Sequence, residues 1–258
     1  KAQIDQGFHC RKSDSSKAYK ILKWKPKYTL KESIKEMVKE IRPVYIVIGG
    51  SKGVGKSTIE LLLKKNCMIY NFSRSPFLPD NENLINIEID VKDLDKLKKN
   101  IIGIFNKHQK ISAIFASTGN GMQKKLSETK IEELNHIFDV NFKYLFVVCK
   151  TYYQLQKKEK EKGNLLVVSS LTDRFSMPKY SAYSSAKHSV RSMLTSFKKE
   201  QKIIKIHIIH PFRIDTDFFN NYEKKPRKWE MIKSKHVAKA FVARKDNILK
   251  GYYYDLNC

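Results

Sequence analysis

The chain has 258 residues, 41% of them hydrophobic, which allows one large domain with a sizeable core and excludes a disordered chain. No run approaches the roughly 18 apolar residues of a membrane span, so no membrane association is expected. The net charge of +25 rests on 43 Lys and only 8 Arg, scattered along the chain; readers of nucleic-acid grooves lean on Arg forks, so the charge reads as a solvated basic surface that steers anionic substrates and argues against a nucleic-acid partner.

Cys10, Cys67, Cys149 and Cys258 lie far apart, with no C-x-x-C pair. They read as free thiols of a reducing cytoplasm, not as metal ligands or disulfides. The chain opens at Lys1 on polar residues with no secretory signal pattern, and a missing upstream segment is expected.

The first 42 residues are basic and end in a helical pattern, "LKESIKEMVKEI". Thr29 is the expected N-cap, with Leu30, Ile34, Met37, Val38 and Ile41 on one face. Arg42-Pro43 breaks the pattern. From Val44 strands and helices alternate. "VYIVI" (44–48) is a short apolar run, hence a buried strand, and "GVGKSTIELLLKK" (53–65) a helix opening on glycines. "CMIYNFS" (67–73) and "LINIEI" (84–89) are the next strands, followed by a helix over 93–108 and a fourth strand, "ISAIFAS" (111–117). Residues 127–160 hold one long helix or two short ones. "NLLVVSS" (164–170) is a fifth strand, residues 181–200 a helix, and "IKIHIIH" (204–210) a sixth strand. A helix near 235–243 and a strand "GYYYDL" (251–256) close the chain. Such alternation predicts an α/β fold, a doubly wound parallel sheet of about seven strands flanked by helices.

The loop "GGSKGVGKS" (49–57) fits two patterns. Gly50 to Ser57 fits the phosphate loop G-x-x-x-x-G-K-[ST], and Gly49, Gly53 and Gly55 fit the spaced glycines of a dinucleotide site. The loop alone leaves both open. Residues further on decide. Tyr183 and Lys187 are four apart, so a helix stacks them on one face. The spacing by itself says little, because 13 Tyr and 43 Lys give about two such pairs by chance. Only this pair has a strand-end serine, Ser170, shortly before it and a glycine loop well before that.

Over residues 43–258 the chain resembles the classical short-chain dehydrogenase/reductase family, a Rossmann-type fold. "GGSKGVG" resembles its cofactor loop, Asp90-Val91 its acidic adenine contact, and "ASTG" (116–119) its N-N-A-G. Asn141 matches the helix asparagine, Ser170, Tyr183 and Lys187 the catalytic serine and Y-x-x-x-K, and "HPFRIDT" (210–216) the P-G-x-x-x-T segment. The resemblance implies catalytic roles for Asn141, Ser170, Tyr183 and Lys187. It implies cofactor contacts from Gly49, Ser51, Lys52, Gly53, Val54, Gly55, Arg74, Asp90, Val91, Gly119, Tyr183, Lys187, Pro211, Ile214 and Thr216, with no metal. It also implies that Lys187 binds the ribose hydroxyls and that Asn141 holds a relay water.

Chemistry fits these residue types. Reducing a carbonyl needs a hydride on carbon, which the cofactor supplies, and a proton on oxygen. A tyrosine with a free pKa near 10 serves if a neighbouring ammonium lowers it, so Lys187 is expected to bring Tyr183 down toward neutrality. Ser170 would hydrogen-bond the substrate oxygen. Arg74 at the end of the second strand and Lys52 in the loop, with no acid there, favour NADP(H) over NAD. Two departures stand out: Phe212 replaces a glycine, where positive φ would be costly and a ring would line the pocket, and Ala116 replaces an asparagine. The expected lid is 217–234, with Phe218, Phe219, Tyr222 and Trp229.

Residues 8–41, with Asp14, Ser16, Lys17, Ala18, Leu22, Trp24, Pro26, Leu30 and Ile34, resemble the C-terminal end of extended-type nucleotide-sugar enzymes of the dehydratase, epimerase or fucose-synthase type. The expected organisation is therefore a remnant of such an enzyme (1–42) fused to a reductase domain (43–258). The expected activity is NADP(H)-dependent interconversion of a carbonyl and an alcohol in a cytoplasmic homo-oligomer. A keto-sugar nucleotide is the preferred substrate, in nucleotide-sugar or surface-polysaccharide synthesis. A 3-oxoacyl thioester or simple ketone is the rival, and a non-catalytic NADP-binding or scaffold protein the alternative of another class.

Overall fold

The computed structural model describes residues 15–77, 79, 81–160, 162–219, 222, 226–227 and 231–245. The chain divides into two compact units, Lys1–Ile41 and Arg42–Cys258.

In the first unit, α1 (Ser16–Leu22) stops at Lys23, whose left-handed backbone (φ 53°) returns its N–H to the Tyr19 carbonyl. Helix α2 (Leu30–Ile41) begins on a reciprocal cap. Thr29 Oγ1 accepts from the Glu32 N–H at 3.2 Å, and the Glu32 carboxylate accepts from the Thr29 N–H at 2.7 Å. Bonds donated to it by the Thr29 N–H and the Thr29 hydroxyl hold the exposed Glu32 carboxyl below its usual pKa.

The second unit is a three-layer α/β/α structure. Its parallel sheet runs β3-β2-β1-β4-β5-β6. The strands are β1 (Val44–Ile48), β2 (Met68–Ser73), β3 (Leu84–Glu88), β4 (Ala113–Ala116), β5 (Gly163–Val168) and β6 (Ile204–Ile209). The helices are α3 (Gly53–Leu62), α4 (Leu94–His108), α5 (Ile131–Phe138), α6 (Tyr144–Lys158), α7 (Ser181–Glu200) and α8 (Ser234–Lys245). A two-residue parallel pair joins β7 (Ile214–Asp215) to β8 (Ile232–Lys233). The main sheet thus has six strands among the described residues, not about seven; the predicted strand 251–256 lies outside them.

All five residues of β1 are buried, and they alternate between layers. Val44, Ile46 and Ile48 pack with Leu97 and Ile101 of α4, Tyr144 and Val148 of α6, and Val190 and Leu194 of α7. Tyr45 and Val47 face the opposite way, toward Ile59 and Leu62 of α3 and Val237 and Phe241 of α8. A strand covered on both faces reads as a continuous apolar run. Each such fully buried Val or Ile contributes about 1.5–3 kcal/mol.

The strand order reverses direction between β1 and β4. Such a switch point opens a crevice at the carboxyl edge of the sheet. The glycine loop leaves β1 there, and Ser117–Gly119 leaves β4. The register puts Ile48 level with both Phe72 and Ala116, so β1 and β4 end together and β2 runs one residue further, to Ser73.

Helices α5 and α6 are one rod interrupted by a π turn at Asp139–Lys143, closed by the Tyr144 N–H on the Asp139 carbonyl. Of the two arrangements expected within 127–160, the structure takes the single rod, over Ile131–Lys158 with one wide turn. Asn141 sits in that turn, and its amide Nδ2 donates to the Ile137 carbonyl at 2.9 Å, one turn back. A side chain inserted in the main-chain ladder is a recognised cause of such turns.

Candidate active site

The glycine loop is a cradle only glycine can form. Gly49 (φ 87°) and Gly53 (φ 54°) are left-handed. A Cβ on Gly55 would lie 2.1 Å from the Gly49 carbonyl oxygen, and one on Gly50 would lie 2.3 Å from Asn71 Oδ1. Asn71, buried in β2, also accepts from the Gly50 N–H at 3.1 Å and so pins the loop to the strand beside it. Lys52 is extended and precedes α3, so the first N–H groups of that helix face the crevice. Ser51 is half-buried, and Val54 packs inside. Thr216 closes the loop from above, its methyl 3.0 Å from where a Gly53 Cβ would stand.

The other expected contacts ring this cradle. Arg74 is exposed, one residue past β2. Lys52 is exposed too, but its Nζ forms an ion pair with Asp217 at 3.2 Å, a partner that local sequence did not signal. Asp90 is half-exposed and accepts from the Lys92 N–H at 3.0 Å, while Val91 is buried. Pro211 is buried at the end of β6, its carbonyl accepting from Leu171 N–H at 3.1 Å. Ile214 pairs with Ile232.

Beyond the cradle, α7 carries Tyr183 and Lys187 inward on the face it shares with Ala186 and Val190. Both are nearly inaccessible, at 5% and 4% exposure. The Lys187 Nζ stands 5.8 Å from the Tyr183 ring centre. Ser170 caps the short 3-10 turn Leu171–Asp173 after β5, accepting from Thr172 N–H at 3.2 Å and Thr172 Oγ1 at 2.9 Å. The side chains of Ser170 and Thr172 are close enough to the Tyr183 hydroxyl to favour its ionised form. Asn141 completes the set. Its Nδ2 also donates to the Asn120 carbonyl at 2.9 Å, and its buried Oδ1 has no hydrogen-bond partner. Gly119 lies between the groups: a Cβ there would be 2.7 Å from Asn141 Oδ1 and 3.4 Å from Lys187 Nζ.

The electrostatics depart from expectation at Tyr183. Burial raises its phenol above the ordinary value; the side chains of Ser170 and Thr172 offset this in part, and the Asp173 and Tyr180 charges add to it. The net shift of Tyr183 is upward despite the neighbouring Lys187 amine, which burial itself lowers to about 8 against the favourable pull of Asp173. Two groups desolvated together favour their neutral forms.

Phe212 keeps out of the left-handed region, as expected of a non-glycine. Among the described residues the left-handed non-glycines are Lys23, Gln109, Lys160 and Lys179, so Phe212 carries no such strain. Its ring is half exposed and lies under the Arg213 guanidinium at 4.7 Å. Ala116 is fully buried in β4. Of the lid residues, Phe218 sits edge-on to Tyr183 at 5.6 Å, and Phe219 and Tyr222 extend the cluster at 5.1 Å from each other; Trp229 lies outside the described residues.

Sequence reasoning missed Asp173 and His210. Asp173 is fully buried; its Oδ2 accepts from Ser169 Oγ at 2.5 Å and faces His210 Nδ1 at 2.6 Å. The one available signal was an acidic residue in an otherwise neutral strand-end turn.

A glycine cradle at a switch point, next to a buried Ser–Tyr–Lys set, defines a dinucleotide-binding oxidoreductase. Residues 43–227 match the short chain dehydrogenase family, and the chain belongs to it. It is 26% identical over 192 residues to the dehydrogenase/reductase SDR family protein 7-like of Dictyostelium discoideum, covering 69% of this chain and 61% of that protein. It is 29% identical over 175 residues to the bifunctional ribulose 5-phosphate reductase/CDP-ribitol pyrophosphorylase Bcs1 of Haemophilus influenzae, covering 67% of this chain and 34% of that protein. The chain thus spans less than two thirds of either relative. Among solved structures, an alcohol dehydrogenase from Thermococcus sibiricus complexed with 5-hydroxy-NADP superposes with a TM-score of 0.71 at 20% identity, over 82% of this chain and 93% of that one. That likeness is one of fold. Among the described residues, no helix is long and apolar enough to cross a membrane.

Proposed function

We propose that the chain is an NADPH-dependent reductase that turns a carbonyl into an alcohol, with Tyr183 as proton donor. One observation carries this reading: the Tyr183 phenol is buried next to the Ser170 side chain, beside a buried amine and a glycine cradle. The cradle would hold a pyrophosphate against backbone N–H groups, and the unpartnered Asn141 Oδ1 offers an acceptor deeper in. Gly49, Ser51, Gly53, Val54, Gly55 and Thr216 would hold the dinucleotide. Asp90 and Val91 would border its adenine, and Gly119, Pro211 and Ile214 its other end. Arg74, assisted by Lys52, would meet a 2′-phosphate, which favours NADP(H). The Thermococcus neighbour, complexed with 5-hydroxy-NADP, is consistent with this choice.

A bound nicotinamide supplies hydride chemistry; the chain supplies the proton and its management. Ser170 orients the carbonyl oxygen. Tyr183 transfers its hydroxyl proton to that oxygen as negative charge builds there, and Lys187 stabilises the phenolate left behind. Asn141 Oδ1 would hold the water through which the phenolate is reprotonated. A phenol kept protonated by burial suits donation, so reduction is the favoured direction.

The substrate class is a carbonyl compound with an anionic group. The charge of +25 supports it, as does the Haemophilus relative, named a ribulose 5-phosphate reductase. A keto-sugar nucleotide fits the same description. The resemblance of residues 8–41 to the tail of nucleotide-sugar enzymes supports a role in sugar-nucleotide or surface-polysaccharide synthesis. Assembly as a cytoplasmic homo-oligomer belongs to the same reading. The test is NADPH oxidation against a panel of keto-sugar phosphates, keto-sugar nucleotides, 3-oxoacyl thioesters and simple ketones. Turnover of none overturns the assignment and leaves a non-catalytic nucleotide-binding protein, and equal turnover by Tyr183→Phe overturns Tyr183 as the proton donor.

A further inference from the structure

A polar side chain stands where the core calls for an apolar one. Asn71 of β2 is 0% exposed, on the face it shares with Ile69, which packs in the α3–α8 layer. A buried amide must find partners, and those of Asn71 lead outward in two directions. Its Oδ1 accepts from the Gly50 N–H at 3.1 Å. Its Nδ2 donates to Ser73 Oγ at 3.1 Å and to Asn86 Oδ1 at 2.8 Å, on the residue level with it in β3. Asn86 in turn grips the main chain of Phe77: its Oδ1 accepts from the Phe77 N–H and its Nδ2 donates to the Phe77 carbonyl, both at 3.0 Å. Ser73 Oγ donates to the Ser75 carbonyl at 2.5 Å. The turn that carries Arg74 is thus held at Ser75 and at Phe77, and through Asn71 it is tied to the glycine loop. The main-chain ladder between β2 and β3 needs none of these side chains.

We propose that Asn71 and Asn86 are positioning residues for nucleotide selection: they clasp the turn bearing Arg74 to the glycine loop, so that the 2′-phosphate and the pyrophosphate of NADPH meet contacts set at a fixed separation. This rests on the reading in which Arg74 meets the 2′-phosphate. An arginine on a slack turn loses conformational freedom when it binds; one on a clasped turn has lost it beforehand. NADH carries no phosphate for Arg74, so the benefit of the clasp between Asn86 and Phe77 falls to NADPH. The bond from Gly50 to Asn71 shapes the cradle itself and serves both nucleotides.

The test is Asn86→Ala. Asn86 is exposed on the edge strand, so its removal leaves the core intact. In the free protein, the Phe77 amide is expected to exchange its hydrogen about 10-fold faster or more, followed by NMR. By calorimetry, the dissociation constant for NADPH is expected to rise about 3–10-fold and that for NADH by less than about two-fold. In an Arg74→Ala background the same change is expected to add nothing to the loss of NADPH affinity, because the two residues act as one unit. Asn71→Ala, which also frees the Gly50 N–H, is expected to weaken both nucleotides. Unchanged exchange at Phe77, equal losses of NADPH and NADH in Asn86→Ala, or losses that add to those of Arg74→Ala overturn the proposal; undiminished NADH binding by Asn71→Ala overturns the link to the glycine loop. If Asn86→Ala fails to fold, Asn86→Val, a better strand former that also lacks the amide, is judged by the same outcomes. A parent that binds NADPH and NADH equally overturns the cofactor reading and the proposal with it, whereas a parental preference for NADPH that Asn86→Ala leaves intact overturns the proposal alone.

Discussion

Lys187 Nζ lies 5.8 Å from the centre of the Tyr183 ring, one helical turn away, and both side chains are shut off from solvent. The amine therefore sits within reach of a phenolate formed at Tyr183 while being too desolvated to hold its own charge at high pH.

That desolvation makes activity depend on pH. With the amine at about 8, Lys187 is charged below that pH and neutral above it. Reduction is expected to be flat from pH 6 to 7 and to fall as pH rises through 8, as the phenolate loses its neighbouring charge. A rate profile measured at saturating NADPH checks this; a rate that climbs steadily to pH 9.5 contradicts it.

The same amine links pH to folding. Its folded value, about 8, is below its value of 10.5 in the open chain. Between those limits the unfolded chain binds the extra proton, so stability rises with pH across that window. The contribution is on the order of 3 kcal/mol in full. Urea unfolding at pH 7 and pH 9.5 should show the parent gaining on Lys187→Met over that interval. Parallel behaviour of the two proteins would refute the burial argument.

Tyr183→Phe removes the donated proton while keeping the ring against Phe218. Turnover is expected to drop about 10²–10⁴-fold, with NADPH binding, followed by nucleotide fluorescence, little changed. Loss of binding in step with activity would point to a structural role.

Gly55→Ala forces a methyl to within 2.1 Å of the Gly49 carbonyl, a backbone atom with nowhere to move. We expect about 1–3 kcal/mol of destabilisation and loss of measurable NADPH affinity. Gly103→Ala, on α4 where a Cβ meets nothing within 4 Å, is the control and should match or slightly exceed the parent in thermal melting.

Cofactor preference should respond to Arg74 more than to Lys52, since Lys52 is already engaged with Asp217. Arg74→Asp is expected to shift the NADPH/NADH ratio of kcat/KM by about 10–100-fold toward NADH, the scale of one charge-assisted phosphate contact. Asp217→Asn frees Lys52 and should tighten NADPH only about two- to five-fold, as befits an exposed ion pair. A larger effect from Asp217→Asn than from Arg74→Asp would reverse these roles.

The fold could be read from the chain because its central strands are buried on both faces. "VYIVI" carries no polar residue to obscure it, and Thr29 with Glu32 announces its helix through purely local bonds. The gathering of Ser170, Tyr183 and Lys187 was legible because order along the chain maps onto strand ends and a helical turn. Other features depend on contacts distant in sequence. Asp173 meets His210 37 positions later. Lys52 meets Asp217 across the crevice. The resistance of Tyr183 to ionisation follows from packing density, which no spacing encodes.

The wide turn at residues 139–143 has a consequence for how this scaffold tolerates change. Each residue advances a regular helix by about 100°, so the rod beyond the turn runs out of phase with the rod before it. Excising a single residue there would restore uniform winding and swing the amide of Asn141 off its two carbonyls. A shortened protein of that kind is expected to be the hardier fold and the poorer catalyst, robustness having been given up locally so that one side chain could point the right way.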